Sequence, residues 1–216
     1  MKKIMKKVWK IIRIPIYVIL ALYFGVVIYR IPAAIERSDT AEIVADIHSQ
    51  KLMMKDVLGE NLPPKPNEKL NNSTLEGIDA NNNGIRDDVE LAIFKLYPDS
   101  ASIRSGALQY AKAMQMHFRK DITNSKIFVA VLQEKSRGGS CFYQALPSDD
   151  VRSAKTNEEM SKAFAVLDIQ KEKLYNIIMN TNERKNKEEE NYEKYMTSMG
   201  DIGGNDCDID PLVLSN

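Results

Sequence analysis

Residues 79–90 read DANNNGIRDDVE, with three Asn, three Asp, one Gly and one Glu in twelve positions. Short oxygen-bearing side chains at that density suit a hard cation. Calcium takes about six to eight oxygens at roughly 2.3–2.6 Å, and a twelve-residue loop supplies them from positions 1, 3, 5, 7, 9 and 12 around a glycine at position 6. Counting from Asp79 puts Asn81 at position 3, Asn83 at 5, Gly84 at 6, Ile85 at 7, Asp87 at 9 and Glu90 at 12. Ile85 would contribute its backbone carbonyl and Glu90 both carboxylate oxygens. Gly84 falls where the chain must turn sharply and a positive φ costs little. The same residues also suit a polar turn followed by a well-capped helix. Asn and Gly make turns, and Asp87, Asp88 and Glu90 complement the dipole of a helix N-terminus without any metal.

The spacing matches D-x-[DN]-x-[DN]-G-x5-E without exception. The loop resembles the EF-hand family. It is closer still to the calcium loops of thrombospondin type 3-like repeats in bacterial surface proteins, with their DxDxDGIxDxxE pattern. Asp79, Asn81, Asn83, Gly84, Ile85, Asp87 and Glu90 stand at the matching positions, and the resemblance covers only these dozen residues. It implies Ca2+ as cofactor, held by Asp79, Asn81, Asn83, Ile85, Asp87 and Glu90. Position 8 is apolar where two EF-hands pair, but here it is Arg86, and the chain has no second such loop. A paired, calmodulin-like switch is therefore not expected. The tail acids Asp206, Asp208 and Asp210 alternate but lack the Gly and Glu framework. Two Asn replace acids in the donor set, so its charge comes from Asp79, Asp87 and Glu90 alone. That points to weak affinity, on the order of 10⁻⁴–10⁻³ M, as in extracellular modules, and to a structural staple.

Other chemistry is sparse. His48 and His117 are the only histidines, and neither neighbours a Cys or a second His at i+4, so zinc spacing fails. There is no GxSxG, phosphate loop or Cys–His signature, and no carboxylate pair stands out as acid and base. Both histidines read as surface or satisfied core residues. The methionines read as core filler, and ERKNKEEENYEK as a solvated helix face with i,i+4 pairs.

The elements that must position the loop begin with a charge asymmetry. The 216 residues have no formal net charge, yet residues 1–37 carry +7 and residues 38–216 carry −7. An acidic body lacks the basic footprint of a nucleic-acid binder. The head, residues 1–13, contains Lys2, Lys3, Lys6, Lys7, Lys10 and Arg13 and no acid. It precedes IPIYVILALYFGVVIY, which has no charge. Residues 14–35 reach bilayer length if Arg30 snorkels toward a headgroup. The cations then place the N-terminus in the cytoplasm and the body outside, as in an uncleaved signal-anchor. A cleaved signal peptide is the rival. It wants small residues at −3 and −1, and YRIPAAIE offers Ile31 or Pro32 at −3. The expected setting is a bacterial inner membrane with the body in the periplasm. Cys141 and Cys207 then read as a disulfide, against two unrelated buried thiols.

An all-α fold is expected: an N-terminal transmembrane helix, then a small helical bundle carrying one EF-hand-like loop. Residues 36–59 read as a stalk helix, with Asp39 and Glu42 at capping-box spacing and Gly59 as its stop. The Pro-rich stretch 60–73 reads as a linker or surface strap. Residues 74–216 form the extracytoplasmic domain. Within it, helices follow the loop at 87–97 and 100–120, start at Asn124 or Ser125 with a stop at Gly138–Gly139, and start again at the Thr156 and Thr181 caps. IFVAVL and CFYQALP are ambiguous between helix and strand.

Three function classes fit. The first is a membrane-tethered, non-enzymatic module that binds a protein partner, in one concrete version an immunity-type protein that neutralises a toxin acting in the periplasm. The second is a cell-envelope enzyme using carboxylates. The third is a structural subunit of an envelope machine.

Overall fold

The computed structural model describes residues 2–147, 149–200 and 203–214. Two compact units are present, Met1–Ile43 and Val44–Asn216. Among the described residues the regular structure is helical, with no strand.

The first unit is a single stretch of α1 (Lys2–Ser49), which runs on into the second unit. From Pro15 onward it is long and apolar enough to cross a membrane, with a mean hydropathy of 2.1 and an apolar window that has no buried residue. Tyr17, Leu20, Phe24, Ile28 and Tyr29 all lie exposed. A soluble helix would not leave such a surface to water. Pro15 and Pro32 sit inside the helix without ending it, as transmembrane helices tolerate. The side chains of Lys2, Lys3, Lys6, Lys7 and Lys10 lie outside the described residues. No new helix starts at Asp39, so the capping-box spacing there is not used. The expected stalk to Gly59 also divides. α1 ends at Ser49, and a separate five-residue helix α2 (Met54–Leu58) follows, closed by Gly59 at φ +76°; the Pro-rich stretch after it contains one helical turn, α3 (Glu68–Asn71), capped by Asn67.

The second unit is built around α5 (Ala101–Gln115), which is buried along nearly its whole length. α4 (Asp87–Leu96), α6 (Ser125–Ala145) and α8 (Asn157–Ile178) pack against it, the short α7 (Asp149–Ser153) precedes α8 in the chain, and α9 (Asn182–Tyr195) follows α8. The core joins Val57, Val89, Ile93, Leu108, Phe142 and Leu174. Polar caps start four of these helices, at Asn124, Thr156 and Thr181 as the sequence predicts and also at Ser100, while α4 starts at Arg86 without a side-chain cap. Ser100 accepts from the Ile103 amide, Asn124 from Lys126 and Ile127, Thr156 from Glu159, and Thr181 from Arg184.

α6 corrects one expectation. Gly138–Gly139 does not stop it; the helix continues through CFYQA to Ala145. The glycines are used for close approach. A Cβ on Gly138 would sit 2.9 Å from Tyr110 Cα, and one on Gly106 would sit 2.7 Å from Phe142 Cα. Each helix thus lays a glycine on the other's backbone, so contact between α5 and α6 outweighs the helix-propensity cost of glycine. IFVAVL and CFYQA are both helical, set by the length of the element they belong to.

The tail is tied down covalently. Cys141, fully buried on α6, is disulfide-bonded to Cys207. Gln109 donates to the Asp206 carbonyl at 2.7 Å and accepts from the Asp208 amide at 2.8 Å. Arg137 reaches Asp208 at 2.9 Å and also pairs with Glu134, whose other oxygen bonds His48 at 2.8 Å.

Candidate metal centre

The 79–90 loop is wound by its own side chains. Asp79 accepts from the Gly84 amide at 2.8 Å and from Asn83 at 3.2 Å. Asn83 Oδ1 accepts from Ile85 at 2.9 Å, and Asp87 Oδ1 from Ala80 at 2.9 Å. Gly84 has φ +84° and Asn82 φ +55°, so both residue types tolerate the left-handed turn they occupy. The Asp87 amide donates to the Ile78 carbonyl at 2.8 Å, closing the loop at the head of α4.

Asp79, Asn81, Asn83, Ile85, Asp87 and Glu90 are thereby brought into one short turn. Asn83, Ile85, Asp87 and Glu90 are buried, the last two at 1% exposure each. Two carboxylates at that burial are costly unless paired. Asn81 Nδ2 donates to Glu90 at 3.0 Å and to the Asn61 carbonyl at 2.7 Å. Asp87 Oδ2 and Asn83 Nδ2 have no hydrogen-bond partner. Burial pushes the Glu90 carboxyl up to about 7, with the Asn81 hydrogen bond offsetting part and the charges of Asp56 and Asp79 adding to the rise. The Asp87 carboxyl is raised too, first by burial. The turn therefore holds one unpaired buried carboxylate oxygen beside a second carboxylate that burial keeps from ionising. Among the described residues, no three His, Cys, Asp or Glu side chains by themselves form a metal-holding group. Half of the predicted donor set is two Asn and a backbone carbonyl, so the acids alone do not define it.

Arg86, at position 8, is fully buried rather than presented to a partner loop. It pairs with Asp88, and its guanidinium donates to the Ile178 carbonyl at 3.1 Å, the Ile177 carbonyl at 3.3 Å and Asn180 Oδ1 at 3.2 Å. These are the free carbonyls at the C-terminus of α8, where a cation is favoured. Arg184, one turn into α9, lies beside it. It donates to the carbonyls of Asn71, Thr74 and Leu75, which fixes the strap that leads into the loop. Burial lowers the Arg184 guanidinium to about 10, and the charge of Arg86 adds to that. Gly77 allows this packing: its φ is +70°, and a Cβ there would sit 2.2 Å from Arg86 Cδ.

Sequence reasoning missed this second layer. Arg184, Glu188 and Asn191 form a buried stripe on α9, where a solvated face was expected. Glu188 accepts from Lys135 at 2.6 Å and from Tyr175 at 2.7 Å. The spacing 184, 188, 191 is helical, but hydrophobic periodicity does not register a polar stripe. His117 is fully buried between Phe128 and Tyr192, and neither ring nitrogen has a partner. Burial lowers its pKa to about 4, helped by the charge of Lys135, so it is a neutral core residue. Asp208 is spent on Arg137 and Lys51, and Asp210 caps a 3-10 turn at Pro211–Val213, so the alternating tail acids do not form a second loop.

Asp79 and Gly84 border an open depression of about 490 Å³, which also includes Glu76, Gln115 and Arg119. No protein family, curated protein or solved structure matches the chain.

Proposed function

We propose that this is a single-pass membrane protein of a bacterial inner membrane, with its N-terminus in the cytoplasm and a helical body in the periplasm that binds a protein partner. An apolar N-terminal helix after a basic head, and a disulfide in the body, support the placement outside the cytoplasm. The observation that carries the binding reading is the exposure of large apolar side chains on α8. Met160, Phe164, Val166 and Ile169 are exposed there, Phe164 at 47% and Ile169 at 62%. Several large apolar side chains left exposed along one helix of a charged body support an interaction role. One concrete form is an immunity-type protein that neutralises a toxin acting in the periplasm. The acidic body, small size and single anchor suit that role.

Calcium in the 79–90 loop serves this module as a staple. Asp79, Asn81, Asn83, Asp87, Glu90 and the Ile85 carbonyl would hold the ion, which supplies charge neutralisation and no reaction chemistry. Asp87 Oδ2 would gain the partner it lacks, and Glu90 would ionise. The test of function is crosslinking of the intact protein in its native membrane, followed by partner identification, for the natural chain and for Phe164→Asp/Ile169→Asp. A partner held by the natural chain and lost from the double variant, with helicity unchanged, is the expected result. Equal capture by both would remove the role assigned to α8.

A further inference from the structure

The donor set implied by the loop's spacing lies within residues 79–90. The structure adds a carboxylate from outside it. Asp56, on α2, is 1% exposed. Its Oδ2 accepts from the Met53 amide at 3.2 Å, while Oδ1 has no hydrogen-bond partner. A buried, unpaired carboxylate oxygen is among the more costly things a fold can contain.

The segment that contains α2 runs beside α4 and the loop. Val57 is in the same core cluster as Val89 and Ile93 of α4. Gly59 lies on α4 too, since a Cβ there would sit 2.8 Å from the Phe94 ring. The Asn61 carbonyl accepts from Asn81, whose amide also bonds Glu90. The charge of Asp56 acts on Glu90 and Lys112, and the charge of Asp79 acts on the same two groups. Lys112 spends its ammonium on the Lys51 carbonyl at 3.0 Å, with its stem over Gly84, where a Cβ would sit 3.2 Å from Lys112 Cε. Residues on both sides of Asp56 are thus held beside the loop, Lys51 through Lys112 over Gly84 and Asn61 through Asn81.

We propose that Asp56 is a further calcium-facing carboxylate, so that the ion ties α2, in the segment directly after α1, to the loop and to α4. The inference rests on the calcium reading of the loop. It raises the negative charge around the ion from three carboxylates to four, with Lys112 offsetting one. It also changes what calcium does: bound ion holds residues 54–61 onto the body, and loss of the ion releases them.

The test uses the full chain in detergent micelles, stripped of metal and titrated with CaCl2, with melting temperature and hydrogen exchange as readouts. Asp56→Asn should need about tenfold more calcium for its half-maximal shift, the loss typical when a residue supporting a metal site is removed. Lys112→Gln should need less than the natural chain. Calcium should slow exchange across residues 54–61 in the natural chain and not in Asp56→Asn. If Asp56→Asn does not fold, protection of 54–61 in the natural chain decides alone. An unchanged calcium midpoint in Asp56→Asn, or exchange at 54–61 indifferent to calcium, overturns the role of Asp56 and leaves the loop standing. A natural chain with no response at millimolar calcium overturns the loop reading, and this inference with it.

Discussion

Glu90 makes the metal-free protein's stability depend on pH in an unusual direction. Its folded carboxyl is raised from 4.5 to about 7. The folded state therefore holds a proton that the unfolded state gives up, and stability falls as pH rises from 4.5 to 7. At 1.36 kcal/mol per unit, the fall amounts to about 3 kcal/mol. His117 acts the other way over nearly the same window. Its pKa drops from 6.5 to about 4, so the unfolded state binds the extra proton and stability rises with pH between 4 and 6.5, again by about 3 kcal/mol. The two contributions nearly cancel in the natural chain, so its own profile is a poor probe. The informative quantity is the difference between the natural chain and Glu90→Gln, in which His117 drops out. In metal-stripped protein in detergent micelles, urea unfolding at steps from pH 4.5 to 7.5 should show that the natural chain loses about 3 kcal/mol relative to Glu90→Gln. At about 10 mM calcium, roughly ten- to a hundredfold above the expected Kd, the difference should shrink by about 1–3 kcal/mol, because the ion binds the ionised carboxylate. Parallel metal-free profiles for the two proteins would refute the argument that Glu90 is held protonated by burial.

Three further outcomes follow from packing and the disulfide. Gly77→Ala should cost about 2 kcal/mol or more, because its Cβ would fall 2.2 Å from Arg86 Cδ at φ +70°; Gly200→Ala, with nothing within 4 Å, is the control and should melt with the natural chain. Gly138→Ala should destabilise by about 1–3 kcal/mol despite alanine's better helix propensity, since its Cβ meets the Tyr110 backbone at 2.9 Å. Replacing Cys141 and Cys207 by Ala, which opens a 66-residue separation, should cost about 4 kcal/mol in the chain-entropy account. Thiol labelling of the denatured natural chain without reductant should find no free cysteine.

Local signals were the legible ones. Asn124, Thr156 and Thr181 mark helix starts because a cap acts on amides two or three residues away, within reach of the sequence itself. Gly84 and the acids around it stand out for the same reason. Gly138–Gly139 misleads because a glycine pair is locally the same whether it ends a helix or admits a neighbouring backbone; only the opposing Gly106 of α5 separates the two. Arg86 and Arg184 were hidden differently. Both are charged residues in polar surroundings, and their burial follows from the free carbonyls at the end of α8 and along the strap, which no periodicity reports. The burial of Asp56 was invisible for a third reason: Gly59 on Phe94 and Asn61 on Asn81 bring its segment beside α4 and the loop, contacts between segments distant in the chain. The run ERKNKEEENYEK shows the limit most clearly, since its helix was evident while its buried stripe was not.

The measurement that bears most directly on the central claim is calorimetric titration of the full chain with CaCl2, beside Asp79→Ala. Asp79 receives the amides of Asn83 and Gly84 and is the first donor of the proposed set. One binding event with Kd on the order of 10⁻⁴–10⁻³ M in the natural chain is the predicted result, with none in Asp79→Ala. Absence of binding in both, or equal binding in both, would contradict the calcium loop.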